Sequence, residues 1–161
     1  MNNSKGFTLV EIVIGMAIMC IIAAAAFSIL STGVKAYQYD AAQSHIIGQA
    51  GPTMSILVDK IRYANSISSL NVGDSTQTLS FVDSSNNVCK ITKGTDADIN
   101  TIIFTEGTST QKMAIGIVKS ITFNRKTIHQ LDIELIVHDY GYANNKDKSL
   151  TYTVFMPSVT S

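Results

Sequence analysis

The sequence predicts an α+β fold, one long N-terminal helix packed on an antiparallel β-sheet, and three observations carry that prediction. An otherwise apolar run from Phe7 to Leu30 contains a single charge, Glu11. A helical periodicity continues beyond it to about residue 67. From about residue 70 the period changes to short segments rich in β-branched and aromatic residues.

The apolar run comes first. Ile12 to Leu30 is free of charge for about 19 residues, and at 1.5 Å per residue that is roughly 28 Å of helix, close to the hydrocarbon thickness of a bilayer. Lys5 and the chain's amine precede the span, and Lys35 is the first charge after it. The positive-inside rule then places a short N-terminus in the cytoplasm and everything after Leu30 outside, a single-pass protein of the cytoplasmic membrane. Glu11 is the exception that asks for a reason, because a carboxylate at the centre of a membrane helix costs roughly 2.5 to 3.5 kcal/mol on insertion scales.

Beyond the span, Val34, Tyr37, Ala41, Ala42, His45 and Ile46 keep close to one helical stripe. Gly48 and the Gly51-Pro52 pair are the first breakers, so a bend is expected at 48–52. After it, Met54, Leu57, Val58, Ile61 and Ala64 share one face of a second helix, with Asp59, Lys60 and Arg62 opposite. The strands expected in the second half are "TLSFV" (78–82), "VCKIT" (88–92), "TIIFT" (101–105), "MAIGIV" (113–118), "SITFN" (120–124), "LDIELIV" (131–137) and "LTYTVFM" (150–156). In "LDIELIV", Leu131, Ile133, Leu135 and Val137 alternate with Asp132 and Glu134, giving one buried and one wet face.

Composition excludes several functions. The chain has 161 residues, one domain's worth, with 12 basic and 12 acidic side chains and no basic run, so nucleic acid is not expected as a principal ligand. The three histidines, at 45, 129 and 138, are far apart and form no catalytic set with a serine or cysteine, so no catalytic residue is expected. "DADIN" (96–100) opens like a calcium loop with Asp96, Asp98 and Asn100, but it lacks the glycine and the bidentate Glu of an EF-hand. No metal site and no cofactor are expected. Cys20 lies in the span and Cys89 outside it, so they cannot bridge within one chain, and Cys89 reads as a small buried hydrophobe.

Simpler readings of the N-terminus each leave something over. A signal peptide has an apolar region of 7 to 15 residues, shorter than this run, and rarely an acidic residue within it. A lipoprotein needs a small residue before its cysteine, whereas Met19 precedes Cys20. A plain signal anchor accounts for length and orientation and leaves Glu11 unexplained. A carboxylate that snorkels to the interface is the bland alternative for Glu11 itself.

"KGFTLVEIVIGMAI" resembles the N-terminal signature of the type IV pilin superfamily: a short basic leader, a glycine, then Phe, Thr, Leu, an apolar residue and Glu, leading into an apolar helix. The resemblance covers residues 5 to 30 and combines a cleavage site, a fixed spacing and an acidic exception. It implies a leader at 1–6, a membrane and filament-core helix at 7–30 and an extracytoplasmic domain at 31–161. It implies cleavage by a prepilin peptidase between Gly6 and Phe7, N-methylation of Phe7, and assembly with other pilin or pseudopilin subunits on a platform protein into a filament at the cell surface. Cleavage would leave a cation at Phe7, four residues before Glu11 and on the same helix face. By the same resemblance Glu11 would meet the Phe7 amine of a neighbouring subunit.

The order of elements is also similar to the minor-pilin and pseudopilin group called W and J, through the "VDKIRYA" helix and the closing strand pair. The chain departs from that group after its final strand, where Met156 and Pro157 stand in place of a basic residue. The other function class is a membrane-anchored ectodomain that binds or catalyses without assembling. Dependence on the peptidase separates the two.

Overall fold

In a computed structural model, residues 8–138 and 147–159 are described. The fold is α+β, as the sequence predicts. Its elements are helix α1 (Leu9–Arg62) and strands β1 (Ser66–Ile67), β2 (Ser75–Thr76), β3 (Thr78–Val82), β4 (Val88–Lys93), β5 (Ile102–Glu106), β6 (Ser109–Met113), β7 (Val118–Thr127), β8 (Gln130–Val137) and β9 (Lys148–Phe155). Contacts divide the chain into two compact units, one ending at Ala41 and one beginning at Ala42.

In the first unit α1 presents apolar side chains to its surroundings throughout: Leu9, Ile14, Met19, Phe27 and Leu30 are all exposed. Helix α1 does not stop at the expected bend. It continues through Pro52, which is exposed, and this corrects the reading of two helices. The ring removes one donor and crowds the carbonyl four residues back, which belongs to Gly48. Gly48 is itself exposed, so water can serve that carbonyl, while Thr53 Oγ1 donates to the Gln49 carbonyl at 2.8 Å on the buried side. A proline on the wet side of a helix whose other side is held by a core need not end it.

In the second unit that other side is continuous. Ala42, Ile46, Ala50, Thr53, Met54, Leu57, Val58 and Ile61 are buried at spacings of three and four, the signature of one helical face. Of the first expected stripe only Ala42 and Ile46 are buried, whereas Val34, Tyr37, Ala41 and His45 are exposed; the second, from Met54, is buried throughout.

The single sheet expected from the sequence is two antiparallel sheets. Sheet A has the order β1-β3-β4-β5-β6 and sheet B the order β2-β7-β8-β9. Their inward residues, Leu79, Phe81, Ile91, Ile102 and Phe104 from A and Ile121, Phe123, Leu131, Ile133 and Leu135 from B, join the α1 stripe in one core cluster. Strand β8 is buried at Leu131, Ile133, Leu135 and Val137, the alternation legible in the sequence. Its wet face is tied to β9, with Thr153 Oγ1 donating to Asp132 at 2.8 Å and Ser149 Oγ to Glu134 at 3.0 Å.

One expected strand is not a strand. "MAIGIV" spans the end of β6, a turn with Ala114 at φ 48° and Gly116 at φ 79°, and the start of β7. Two left-handed residues cannot continue a ladder. The segment is apolar because Ala114 and Ile117 are buried beneath the turn.

The residue that precedes β9 supplies a pH prediction. Asp147 bonds Lys119 Nζ at 2.5 Å and His138 Nδ1 at 2.9 Å. The Lys119 hydrogen bond, then that of His138, holds the Asp147 carboxyl below the ordinary 3.8. A carboxyl depressed in the folded state stabilises fully above its unfolded value, and this contribution is lost as pH falls through the folded value. Thermal melts should therefore drop as pH falls below about 4 and through the lower folded value, and Asp147→Asn should flatten that drop. An equal drop in the variant would remove Asp147 from the acid response.

Candidate functional site

Thr8, Leu9, Val10 and Glu11 build the N-terminus of α1. The first amides of any helix lack intrahelical acceptors, and a Thr followed three residues later by Glu can satisfy two of them reciprocally. Thr8 is the N-cap of α1. Its Oγ1 accepts from the Glu11 amide at 3.3 Å, and Glu11 Oε2 accepts from the Thr8 amide at 2.9 Å and from the Thr8 hydroxyl at 2.9 Å. Glu11 Oε1 takes no hydrogen bond among the described residues. One oxygen of the carboxylate therefore starts the helix, and the other is available to a cation.

Thr8 and Glu11 form a T-x-x-E pattern, a signal of a capping box in its own right, beside the four-residue relation of Glu11 to Phe7. Gly6 and Phe7, the expected cleavage and methylation residues, lie outside the described residues. Following the cap, α1 contains an 18-residue window of mean hydropathy 2.7, none of it buried, long and apolar enough to cross a membrane.

Residues 1–27 match the prokaryotic N-terminal methylation motif. The match covers the same segment that carries the pilin resemblance, and the two are consistent. With the methylation motif placed, the capping box lies inside it, at the boundary between the expected cleavage site and the apolar helix. Comparisons with curated proteins and with solved structures gave no match.

The other residues singled out in the sequence do not come together. His45 bonds Gln49 at 3.0 Å on α1, His129 the Met156 carbonyl at 3.1 Å, and His138 meets Asp147. "DADIN" forms a short 3-10 turn in which Asp98 is ion-paired with Lys112 at 2.8 Å. Gly94 closes that turn, since a Cβ there would lie 2.3 Å from the Asp98 carbonyl oxygen. Both cysteines are free; Cys20 is exposed and Cys89 buried, as expected of a small hydrophobe. Burial first, then the carboxylates of Asp83 and Glu106, push the Cys89 thiol up to about 11. It is protonated at neutral pH and is not a reactive thiolate.

Proposed function

We propose that the chain is a structural subunit, a minor pilin or pseudopilin, of a type IV pilus-like filament. The observation that supports it is the methylation motif at residues 1–27, with Glu11 placed at the helix start. On this reading a prepilin peptidase removes residues 1–6 at the cytoplasmic face and Phe7 becomes the methylated N-terminus. Residues 7–30 anchor the subunit in the membrane and then enter the filament core, and residues 31–161 stand outside. Glu11 Oε1 takes the Phe7 amine of a neighbouring subunit. In a low-dielectric bundle that pair fixes axial register, since a displaced subunit would leave a buried charge unpaired.

Processing and assembly are coupled by geometry. In the uncut chain the amine stands six residues upstream on a polar leader, out of reach of any Glu11. The role is structural rather than enzymatic, and the partners are the peptidase, other pilin-like subunits and the assembly platform. Gly6→Leu should leave the leader attached and keep the chain out of sheared surface fractions. A cleaved, incorporated Gly6→Leu chain would defeat the proposal and favour the non-assembling ectodomain.

A further inference from the structure

Sheet A brings together three ligand-type side chains at three successive strands. Cys89 on β4 and Glu106 on β5 are direct cross-strand partners, and Asp83 follows the end of β3, whose last residue pairs with Val88. The Cys89 sulfur and one carboxylate oxygen from each of Asp83 and Glu106 lie within 4.8 Å of one another. Glu106 is on the same face of β5 as Ile102 and Phe104, so it points inward at the end of the core, beneath the last turn of α1. Lys60 from that turn reaches it at 2.8 Å, its ammonium 5.5 Å from the centre of the Phe104 ring.

Each group in the cluster is held. Asp83 Oδ1 accepts the amides of Ser85 at 2.9 Å and Asn87 at 2.8 Å, which fix the carboxylate in its turn. Cys89 is fully buried, its sulfur within 4.8 Å of a carboxylate oxygen of both Asp83 and Glu106 and with no hydrogen bond to it among the described residues. Two carboxylates and one ammonium surround the thiol.

We propose that Asp83, Cys89 and Glu106 form a binding site for a thiophilic divalent cation of the zinc class. When the ion binds, the Cys89 thiol loses its proton to solvent, and three anionic ligands, one divalent ion and the Lys60 ammonium sum to zero. A thiolate with two carboxylates suits zinc or cadmium and is a poor set for calcium or magnesium, which take oxygen alone. Zinc binds sulfur at about 2.3 Å and carboxylate oxygen at about 2.0 to 2.2 Å, which sets ligand atoms about 3.6 Å apart in a tetrahedron. The three atoms, within 4.8 Å of one another, would have to close by no more than about 1.2 Å to meet it, and three protein ligands leave a fourth position for water. Lys60 and Glu106 are partly exposed and provide the way in. Local spacing could not reveal this set, because strand register assembles it.

Cadmium titration of the full-length, detergent-solubilised protein tests the site. A Cys20→Ser background leaves Cys89 as the only thiol. The expected result is an ultraviolet sulfur-to-cadmium charge-transfer band that saturates at one ion per chain, is displaced by zinc, and is absent in Cys89→Ala. Asp83→Asn and Glu106→Gln keep the thiol and the side-chain shapes and should each weaken binding at least about tenfold. Lys60→Gln should strengthen it several-fold, because the ammonium competes for Glu106. Thermal melts confirm that each variant is folded, and the two carboxamide variants decide the matter if Cys89→Ala is not. A folded parent without the band, a band that survives Cys89→Ala, or unchanged affinity in both carboxamide variants would overturn the proposal.

Discussion

Leu57→Asp should unfold the globular unit of the chain. Leu57 is fully buried on the α1 stripe between Met54 and Ile61, and an unpaired carboxylate there has neither water nor a counter-ion. The cost is several kcal/mol, a large part of the roughly 5 to 15 kcal/mol that stabilises a domain of this size. Ile56→Asp is the matched control one position away. Ile56 is 44 % exposed, so the same charge should change stability by no more than about 0.5 kcal/mol. A chain beginning at Val34 keeps the whole buried stripe and should be a soluble monomer, whereas one beginning after Ile67 loses it and should aggregate through the uncovered sheets. Thermal melts and gel filtration read all four. A folded monomer lacking residues 1–67, or equal melts for the two Asp variants, would mean that α1 is not part of the core.

The second large effect is expected at Glu11, where assembly should fail while the protein itself stays intact. Removing a charge from a membrane helix cannot hinder its partition into the bilayer, so Glu11→Ala and Glu11→Gln should insert and fold as the parent does. The pair of variants separates two roles. Gln at the third helical position still completes a capping box with Thr8, whereas Ala loses it at a cost of about 1 kcal/mol. If charge pairing between subunits is what matters, both variants should lose incorporation into sheared filaments, or lower filament number where this subunit is limiting. If Glu11→Gln assembles normally and only Glu11→Ala fails, the carboxylate serves the helix start alone.

Much of the fold was legible, and what was not has identifiable causes. Strand β3 spans the expected residues because Thr78 to Val82 alternates cleanly between flanking polar clusters, and β8 differs from its expected span only by starting one residue earlier, at Gln130. Strand β6, "STQKM", was invisible. Four of its five residues are exposed, so it has no apolar period, and it exists because the turn at Gly107, φ 57°, folds it back on β5. "MAIGIV" misled in the opposite direction, since burial under a turn looks like strand composition. Pro52 misled because a breaker signal does not say which side of the helix it faces. At the N-terminus the motif, the apolar span and Glu11 were all legible, while the Thr8 cap is hidden because Glu11 relates by helical spacing both to Thr8, three residues back, and to Phe7, four residues back. The Asp83, Cys89 and Glu106 cluster lay beyond any linear reading, because its members meet only through the β3–β4 and β4–β5 registers.

Intact-mass analysis of the chain recovered from membrane and sheared surface fractions decides whether this is a processed pilin-like subunit. In both fractions the mature chain should begin at Phe7 and carry one added methyl group. A chain that still bears residues 1–6, or one that begins near Phe27 after signal-peptide cleavage, would rule that out.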